Sequence, residues 1–482
     1  MPDVRQLLAA LEDDTDPSVG AAFARLVSEY FLDTRTGAGP VSTPLSPADL
    51  ARRFDEPLPL EGRPIGEVLA RIEREVLPDC NRLMHPRSMG HQVSAPLPAS
   101  VWTESLTAAL NQSGAVWEMS PVGTVVEAQV IRWMCRLAGF GADAGGTFTS
   151  GGTEANFAGL LAARQAAMPQ AWTKGIGPTP PAVVCGEHAH YSVARAVGLL
   201  GLGTDHVVTV PSGEGLTMDP AALGRVLDGL DAGQRPVMAV VATAGSTATG
   251  SFDDLEAIGS ACERRGIWLH VDGSHGASAL LSERHRAHLS GIERASSLAW
   301  DPHKMMLMPL TASVVLARRE GDLERAFSQS APYLFHGREG RNWDQGLRSF
   351  TCSRRIDALK VWVALQRYGA AGLGALYDRL CDTCSALHAL VQEHPAFSAL
   401  HVPTSNILCF RYVGDRAGDA PALDDLNLRL RTAYNRGGEG WITTTLLHGR
   451  RVLRVTIMNP RTGPDDLRRL LDGLSRTAAL LH

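Results

Sequence analysis

Lysine is nearly absent from this chain: of 46 basic residues in 482, three are lysine and arginine supplies the rest. Charge of one sign is not in excess, with 46 basic against 51 acidic residues and a formal net charge of -5, so there is no basic footprint for nucleic acid. No apolar run approaches a membrane span, so no membrane role is expected. The segment from Pro2 to Asp14 is acidic and amphipathic, unlike a secretory leader. The eight cysteines are scattered, which points to reduced thiols in a cytoplasmic protein. Cys381 and Cys384 have redox-like spacing but sit in a helical pattern with no second pair at zinc spacing, and read as small buried hydrophobes; no metal site is expected. Tandem repeats and low-complexity segments are missing too. What remains, 44% apolar and 20% charged residues over 482 positions, is a globular chain long enough for two or three domains.

Each lysine has a distinct setting. Lys174 lies in a Gly/Pro loop, and Lys360 lies inside the helical pattern Arg355 to Trp362, where a solvated or snorkelling side chain is expected. Lys304 closes the run Ser297-Leu298-Ala299-Trp300-Asp301-Pro302-His303-Lys304. Burial beside apolar residues lowers a lysine's pKa and frees its lone pair to form an imine, which arginine cannot do. Lys304 is therefore the candidate Schiff-base lysine.

Taken in order, residues 1–95 read as a helical extension with Pro-rich turns, packing on the body or on a partner subunit. Helices are expected over Ser18 to Phe31 and Pro64 to Val76, with Ser46 opening another. From Gly145 onward, apolar β-branched runs at 182–185, 206–210, 237–242 and 267–271 alternate with amphipathic stretches. This pattern predicts an α/β fold with a mostly parallel sheet covered by helices on both faces. In such sheets ligands sit beyond the carboxyl ends of the strands. The large domain is placed at 96–360 and a smaller α/β domain at 361–482.

The chemistry-bearing residues follow the strands. Thr149-Ser150-Gly151-Gly152-Thr153-Glu154-Ala155-Asn156 enters a helix through two glycines, and the free N–H groups at a helix start favour phosphate; read alone, Thr153 is equally well a simple cap. Asp272, in His270-Val271-Asp272-Gly273-Ser274-His275, ends a buried strand, where a carboxylate would keep a pyridine nitrogen protonated and strengthen the ring as an electron acceptor. His190, in His188-Ala189-His190-Tyr191-Ser192, offers an imidazole to stack on such a ring. Arg454, on an apolar strand, suits a substrate carboxylate, or else an internal ion pair.

These residues resemble the group II pyridoxal-phosphate-dependent amino-acid decarboxylases, which include the glutamate and aromatic amino-acid decarboxylases. The resemblance runs from about His85 to the C-terminus and rests on His85-Pro86-Arg87, Thr149 to Asn156, His190 to Val193, Ala242 to Phe252, His270-Val271-Asp272, Asp301-Pro302-His303-Lys304 and Cys352 to Arg355. It implies the aspartate-aminotransferase fold (fold type I), a homodimer with its active site at the interface, and pyridoxal 5'-phosphate held covalently by Lys304. Asp272 would partner the ring nitrogen and His190 would stack on the ring. Gly152, Thr153 and His303 would hold the phosphate, with Ser150, Gly151, Ser274 and Asp301 completing the cofactor set and Thr247 near the ring. Arg454 and His91 would bind the substrate. The stretch from Tyr333 to Arg355 leans toward the glutamate-decarboxylase side, hence toward an acidic amino acid or its analogue.

The sequence departs from the family in four places. The mobile loop, His336 to Leu347, lacks the family's proton-donating tyrosine, so His336 or His275 is taken as the donor. Gly273 replaces an alanine whose methyl lies against the cofactor. His275 stands where the family has Tyr or Trp, and Asp301 where many members have Asn. Because loss of the tyrosine accompanies oxidative deamination in related enzymes, an enzyme releasing aldehyde, ammonia and peroxide is the alternative. A catalytically silent dimeric scaffold is the alternative of another class, and its mark would be no spectral response to any amino acid.

Overall fold

The computed structural model describes residues 4–329, 331–335, 342–414 and 420–481. Its centre is a seven-stranded sheet formed by β1 (Gly145–Thr149), β2 (Ala182–Gly186), β3 (Val207–Val210), β4 (Val237–Thr243), β5 (Trp268–Asp272), β6 (Ser297–Trp300) and β7 (Ser313–Ala317), in the order β1-β7-β6-β5-β4-β2-β3. All pairs are parallel except those of β7, which runs antiparallel to both β1 and β6. The carboxyl ends of the other strands therefore share one edge. Every residue of β1, β2, β5, β6 and β7 is buried, the pattern of strands covered on both faces.

The runs read as strands from sequence match β2 to β5. β1 escaped that reading because it opens on two glycines. A side chain at Gly146 would come within 2.4 Å of the Val315 carbonyl oxygen, so only glycine lets β1 pair this closely with β7. Helix starts follow their caps. Ser46 and Asp49 form a reciprocal capping box, and Asp254 accepts from the Ala257 N–H at 2.9 Å to open the Leu255–Arg265 helix, which ends on Gly266 in the left-handed conformation (φ 65°).

A second sheet is antiparallel, in the order β10-β11-β9-β8, from β8 (Phe397–Ala399), β9 (Ile407–Tyr412), β10 (Thr443–Leu447) and β11 (Arg450–Thr456). The Ala420–Gly437 and Pro464–Ala479 helices accompany it. The Ala358–Glu393 helix links the two sheets and kinks at Gly369 (φ 70°), where the sequence pattern also breaks after Tyr368. The N-terminal extension rests partly on this second unit. The Val41 N–H bonds the Gly438 carbonyl at 2.8 Å, and Arg87 Nε donates to the Glu439 carbonyl at 2.6 Å.

Lys360 corrects a sequence expectation. Instead of snorkelling to water it is 1% exposed, with its Nζ 2.5 Å from Glu104 and 3.1 Å from Asp357. Its helix lies against the Pro98–Leu110 helix, which brings in a carboxylate 256 positions away that no local pattern reveals. Removing one member of a buried ion pair strands the other. Lys360→Ala is therefore expected to cost about 3 kcal/mol in urea unfolding, whereas alanine at the exposed Lys174 should change stability by less than about 0.5 kcal/mol. Equal midpoints for the two variants would refute the pairing.

Candidate active site

The turn after β6 carries Asp301 to Lys304 and is clamped by reciprocal bonds between His303 and Ala312. The His303 N–H bonds the Ala312 carbonyl at 3.1 Å, and the Ala312 N–H returns a bond to His303 Nδ1 at 3.1 Å. Inside this clamp Lys304 Nζ lies 2.9 Å from Asp301 Oδ2, a carboxylate 1% exposed. Both line a cavity of about 200 Å³ with Gly152, Thr153, His190, Thr247, Asp272, Ser274 and His303, all candidates from the sequence. Thr243, Gly245 and His275 line it as well. Ser150 is exposed and donates to Glu154 at 2.6 Å; neither it nor Gly151 is among the lining residues. His336 lies outside the described residues.

Asp272 ends β5 in a buried position. Burial pushes its carboxyl up, but hydrogen bonding with Ser274, the charge of Lys304, the amide of Asn156 and the nearby His270 together outweigh it, and the carboxyl lies below its ordinary value. Asn156 Nδ2 donates to Asp272 Oδ2 at 2.9 Å, and the Ser274 N–H to Oδ1 at 3.2 Å. Asp272 is accordingly an ionised acid at neutral pH. Asn156 also meets His270 Nε2 at 2.9 Å and donates to Ser192 Oγ at 2.9 Å, while Ser192 Oγ lies 2.8 Å from His190 Nδ1. The roles of Asn156, Ser192 and His270 were missed from sequence. A signal existed: Asn156 is the polar residue on an otherwise small and apolar helix face, and a side chain at Gly159 would come within 2.5 Å of the His270 ring.

His275 does not suit the donor role expected of it. Its Nε2 lies 2.7 Å from Asn406 Oδ1, and the Asn406 amide nitrogen is committed to the Ile457 carbonyl at 2.8 Å. The proton must therefore sit on Nε2, leaving Nδ1 an unpaired acceptor among the described residues. Burial holds the imidazole neutral, with its pKa pushed down to about 3. The space a methyl at Gly273 would occupy is bordered by Leu298 at 2.8 Å, Ala277 at 3.0 Å and the Ala299 carbonyl at 3.0 Å, so in this packing a methyl there requires the Leu298 side chain to shift.

Beyond His190 and Thr247, which border both spaces, an outer recess of about 370 Å³ is lined by His91, Glu187, His188, Thr443, Thr444, Thr445 and Arg454. Arg454, on β11, is buried; its Nε donates to the Ala248 carbonyl at 3.2 Å, and its Nη1 to the Gly90 carbonyl at 3.2 Å and Thr443 Oγ1 at 3.3 Å. Among the described residues its Nη2 has no partner and no carboxylate pairs with it. The internal ion pair is thus not what occupies this side chain. Burial lowers its pKa to about 10, which still leaves it charged at neutral pH.

The cavity fits pyridoxal phosphate. A side chain at Gly152 would close it, meeting Ser274 Oγ at 2.5 Å and Asp301 Oδ2 at 2.7 Å. Ser274 Oγ, Thr243 Oγ1 and Asp301 Oδ1 are buried without partners among the described residues, as expected of atoms reserved for a bound polar group. Gly152 and Thr153 also start a 16-residue helix, whose first N–H groups suit a phosphate.

A sheet of this order with its chemistry gathered at one carboxyl edge is the fold type I scaffold of pyridoxal-phosphate enzymes. The family model for the pyridoxal-dependent decarboxylase conserved domain matches residues 47–413, and the chain belongs to that family of decarboxylases. It is 34% identical over 443 residues to L-2,4-diaminobutyrate decarboxylase of Rhizobium meliloti (strain 1021), covering 89% of this chain and 85% of the relative. It is also 34% identical to the acidic amino acid decarboxylase GADL1 of Bos taurus over 372 residues, 76% of this chain and 71% of the relative. The crystal structure of mouse CSAD in apo form superposes with a TM-score of 0.90 at 28% identity, over 99% of each chain.

The buried imidazoles make stability depend on acid. His270, like His275, is fully enclosed, and burial lowers its pKa to about 4. Such groups bind fewer protons folded than unfolded, so their contribution is complete above the unfolded value of about 6.5 and is lost as pH falls toward 4. Urea unfolding is expected to require progressively less denaturant from pH 6.5 to 4.5, each such group contributing up to about 1.4 kcal/mol per pH unit. A flat profile over that range would contradict the neutral assignment.

Proposed function

We propose that this decarboxylase acts on an L-amino acid with an acidic side chain, or an analogue of one, giving the amine and carbon dioxide. The observation that carries this reading is Arg454, a charged guanidinium held by three neutral oxygens with one nitrogen unclaimed, in a recess that adjoins the lysine-bearing cavity. Such a group takes a substrate carboxylate without first breaking an internal ion pair. The recess wall adds imidazoles from His91 and His188, the latter 3.5 Å from the Glu187 carboxylate, and hydroxyls from three consecutive threonines, a polar set that suits a charged side chain better than an apolar ring. GADL1, named for acidic amino acids, supports the same reading.

In this proposal Lys304 would hold the cofactor, Gly152, Thr153 and His303 would bind its phosphate with Ser274 and Asp301 beside them, Asp272 would partner its ring nitrogen, and His190 and Thr247 would border the ring. Pyridoxal phosphate, when bound, supplies a ring that accepts the electrons released as the α-carboxylate leaves. Arg454 and His91 orient the substrate, and Asp272 stays ionised to keep the ring nitrogen protonated. His336, from the loop without a tyrosine, supplies the final proton. The working form is a cytoplasmic homodimer with the site at its interface. The exposed Leu106, Met119 and Val122 offer apolar surface for a second copy, and eight free cysteines suit a reducing compartment.

Product analysis under oxygen decides the reaction: the amine is expected, and aldehyde with peroxide would replace this reading by the oxidative one. In a panel of aspartate, glutamate, cysteine sulfinate, 2,4-diaminobutyrate and aromatic amino acids, an acidic member should have the highest kcat/KM; preference for a cationic or aromatic member would overturn the substrate class. Arg454→Gln should lower kcat/KM by about 100-fold. His336→Ala should lower kcat by about 100-fold, and an unchanged kcat would remove His336 from the mechanism.

A further inference from the structure

The hydrogen bonds beneath Asp272 admit one arrangement of protons. An ionised carboxylate only accepts, so Asn156 must turn its amide nitrogen to Asp272 and its carbonyl to His270. The proton of His270 must then sit on Nε2, because Asn156 Oδ1 accepts there. His270 Nδ1, 2.8 Å from Ser297 Oγ, must accept. Ser297 can donate to it because its oxygen already accepts from the Trp268 indole N–H at 2.9 Å. On the other branch the second N–H of Asn156 goes to Ser192 Oγ, and the Ser192 backbone N–H donates to His190 Nδ1 at 3.3 Å, which makes that nitrogen an acceptor and turns the Ser192 hydroxyl proton to it as well.

We infer that Asn156 and Ser192 are positioning residues that lock His190 in the tautomer protonated at Nε2, so that the charge on Asp272 and the proton position on His190, two strands apart, are fixed by one directional chain. Ser192 is fully buried and Asn156 is 1% exposed, so water does not compete for these bonds. Nε2 makes no hydrogen bond to a described residue, and His190 borders both the inner cavity and the outer recess. The chain thus presents a donor, not a lone pair, to that shared wall. A substrate or cofactor oxygen there finds an N–H, whereas the opposite tautomer would present an electron pair and repel it. Burial keeps the ring neutral, which makes tautomer rather than charge the variable under control.

The effect on turnover rests on the proposed decarboxylase reading, but the tautomer does not, and the two can fail separately. Nitrogen-15 NMR of histidine-labelled enzyme without cofactor, assigned with His190→Asn, should show a protonated Nε2 and an unprotonated Nδ1 at residue 190. A proton on Nδ1 overturns the inference whatever the activity. Ser192→Ala should release the preference, mixing the two tautomers in the spectrum and lowering kcat by about tenfold with KM and cofactor affinity nearly unchanged, and Ser192→Thr should restore both readouts. A Ser192→Ala enzyme with the native spectrum and native kcat would equally overturn it. A locked tautomer in wild type with no amino-acid turnover would sink the proposed reaction and leave the lock standing.

Discussion

One ionised carboxylate governs the centre of this molecule. Asp272 sits at the end of a strand in the middle of the sheet with almost no access to water, a placement that by itself favours the neutral acid. It remains charged because the chain aims N–H groups from Asn156 and Ser274 at it and holds the Lys304 amine in the same cavity. Those requirements reach outward. Asn156 must lie on the sheet-facing side of its helix, Gly159 must lack a side chain so that the helix can approach His270, and β5 must carry histidine two residues before the acid. Much of the local sequence around the site follows from keeping one negative charge stable in a dry place.

The periodicity of the chain made the scaffold legible. Strands β2 to β5 and the helices between them show in runs of β-branched residues and amphipathic spacing, because those patterns reflect burial that local sequence must satisfy. β1 escaped because its contribution is close backbone approach, which glycine provides without any hydrophobic signal. The second sheet is legible in the sequence only in part. Ile407 to Phe410 and Val452 to Ile457 are apolar enough to be recognised, whereas β10 is three threonines and two leucines, and β8 is three residues long.

The site divided along the same line. Residues carried in compact segments, such as Lys304, Asp272, Gly152 and His190, could be picked out because each type has chemistry of its own at the end of an element. What sequence could not give is partnership across distance. Lys360 looked like a solvated helix residue because its carboxylate partner Glu104 lies on another helix. Arg454 left an internal ion pair and a substrate contact equally open until its hydrogen-bond partners among the described residues proved to be neutral oxygens. Asn156 and Ser192 look like a helix residue and a cap until His270, more than a hundred positions from Asn156, is found against them.

Arg454 also acts as a keystone. The oxygens that hold it come from Gly90 near the end of the N-terminal extension, Ala248 in the loop after β4, and Thr443 on the neighbouring strand of the second sheet. At 3.2 to 3.3 Å these bonds are near the limit of good geometry, so a displacement of any one segment by an ångström breaks a bond and turns the guanidinium. The angle of this cation is consequently a property of how three distant segments are assembled, and changes confined to the recess wall would leave that joint untouched.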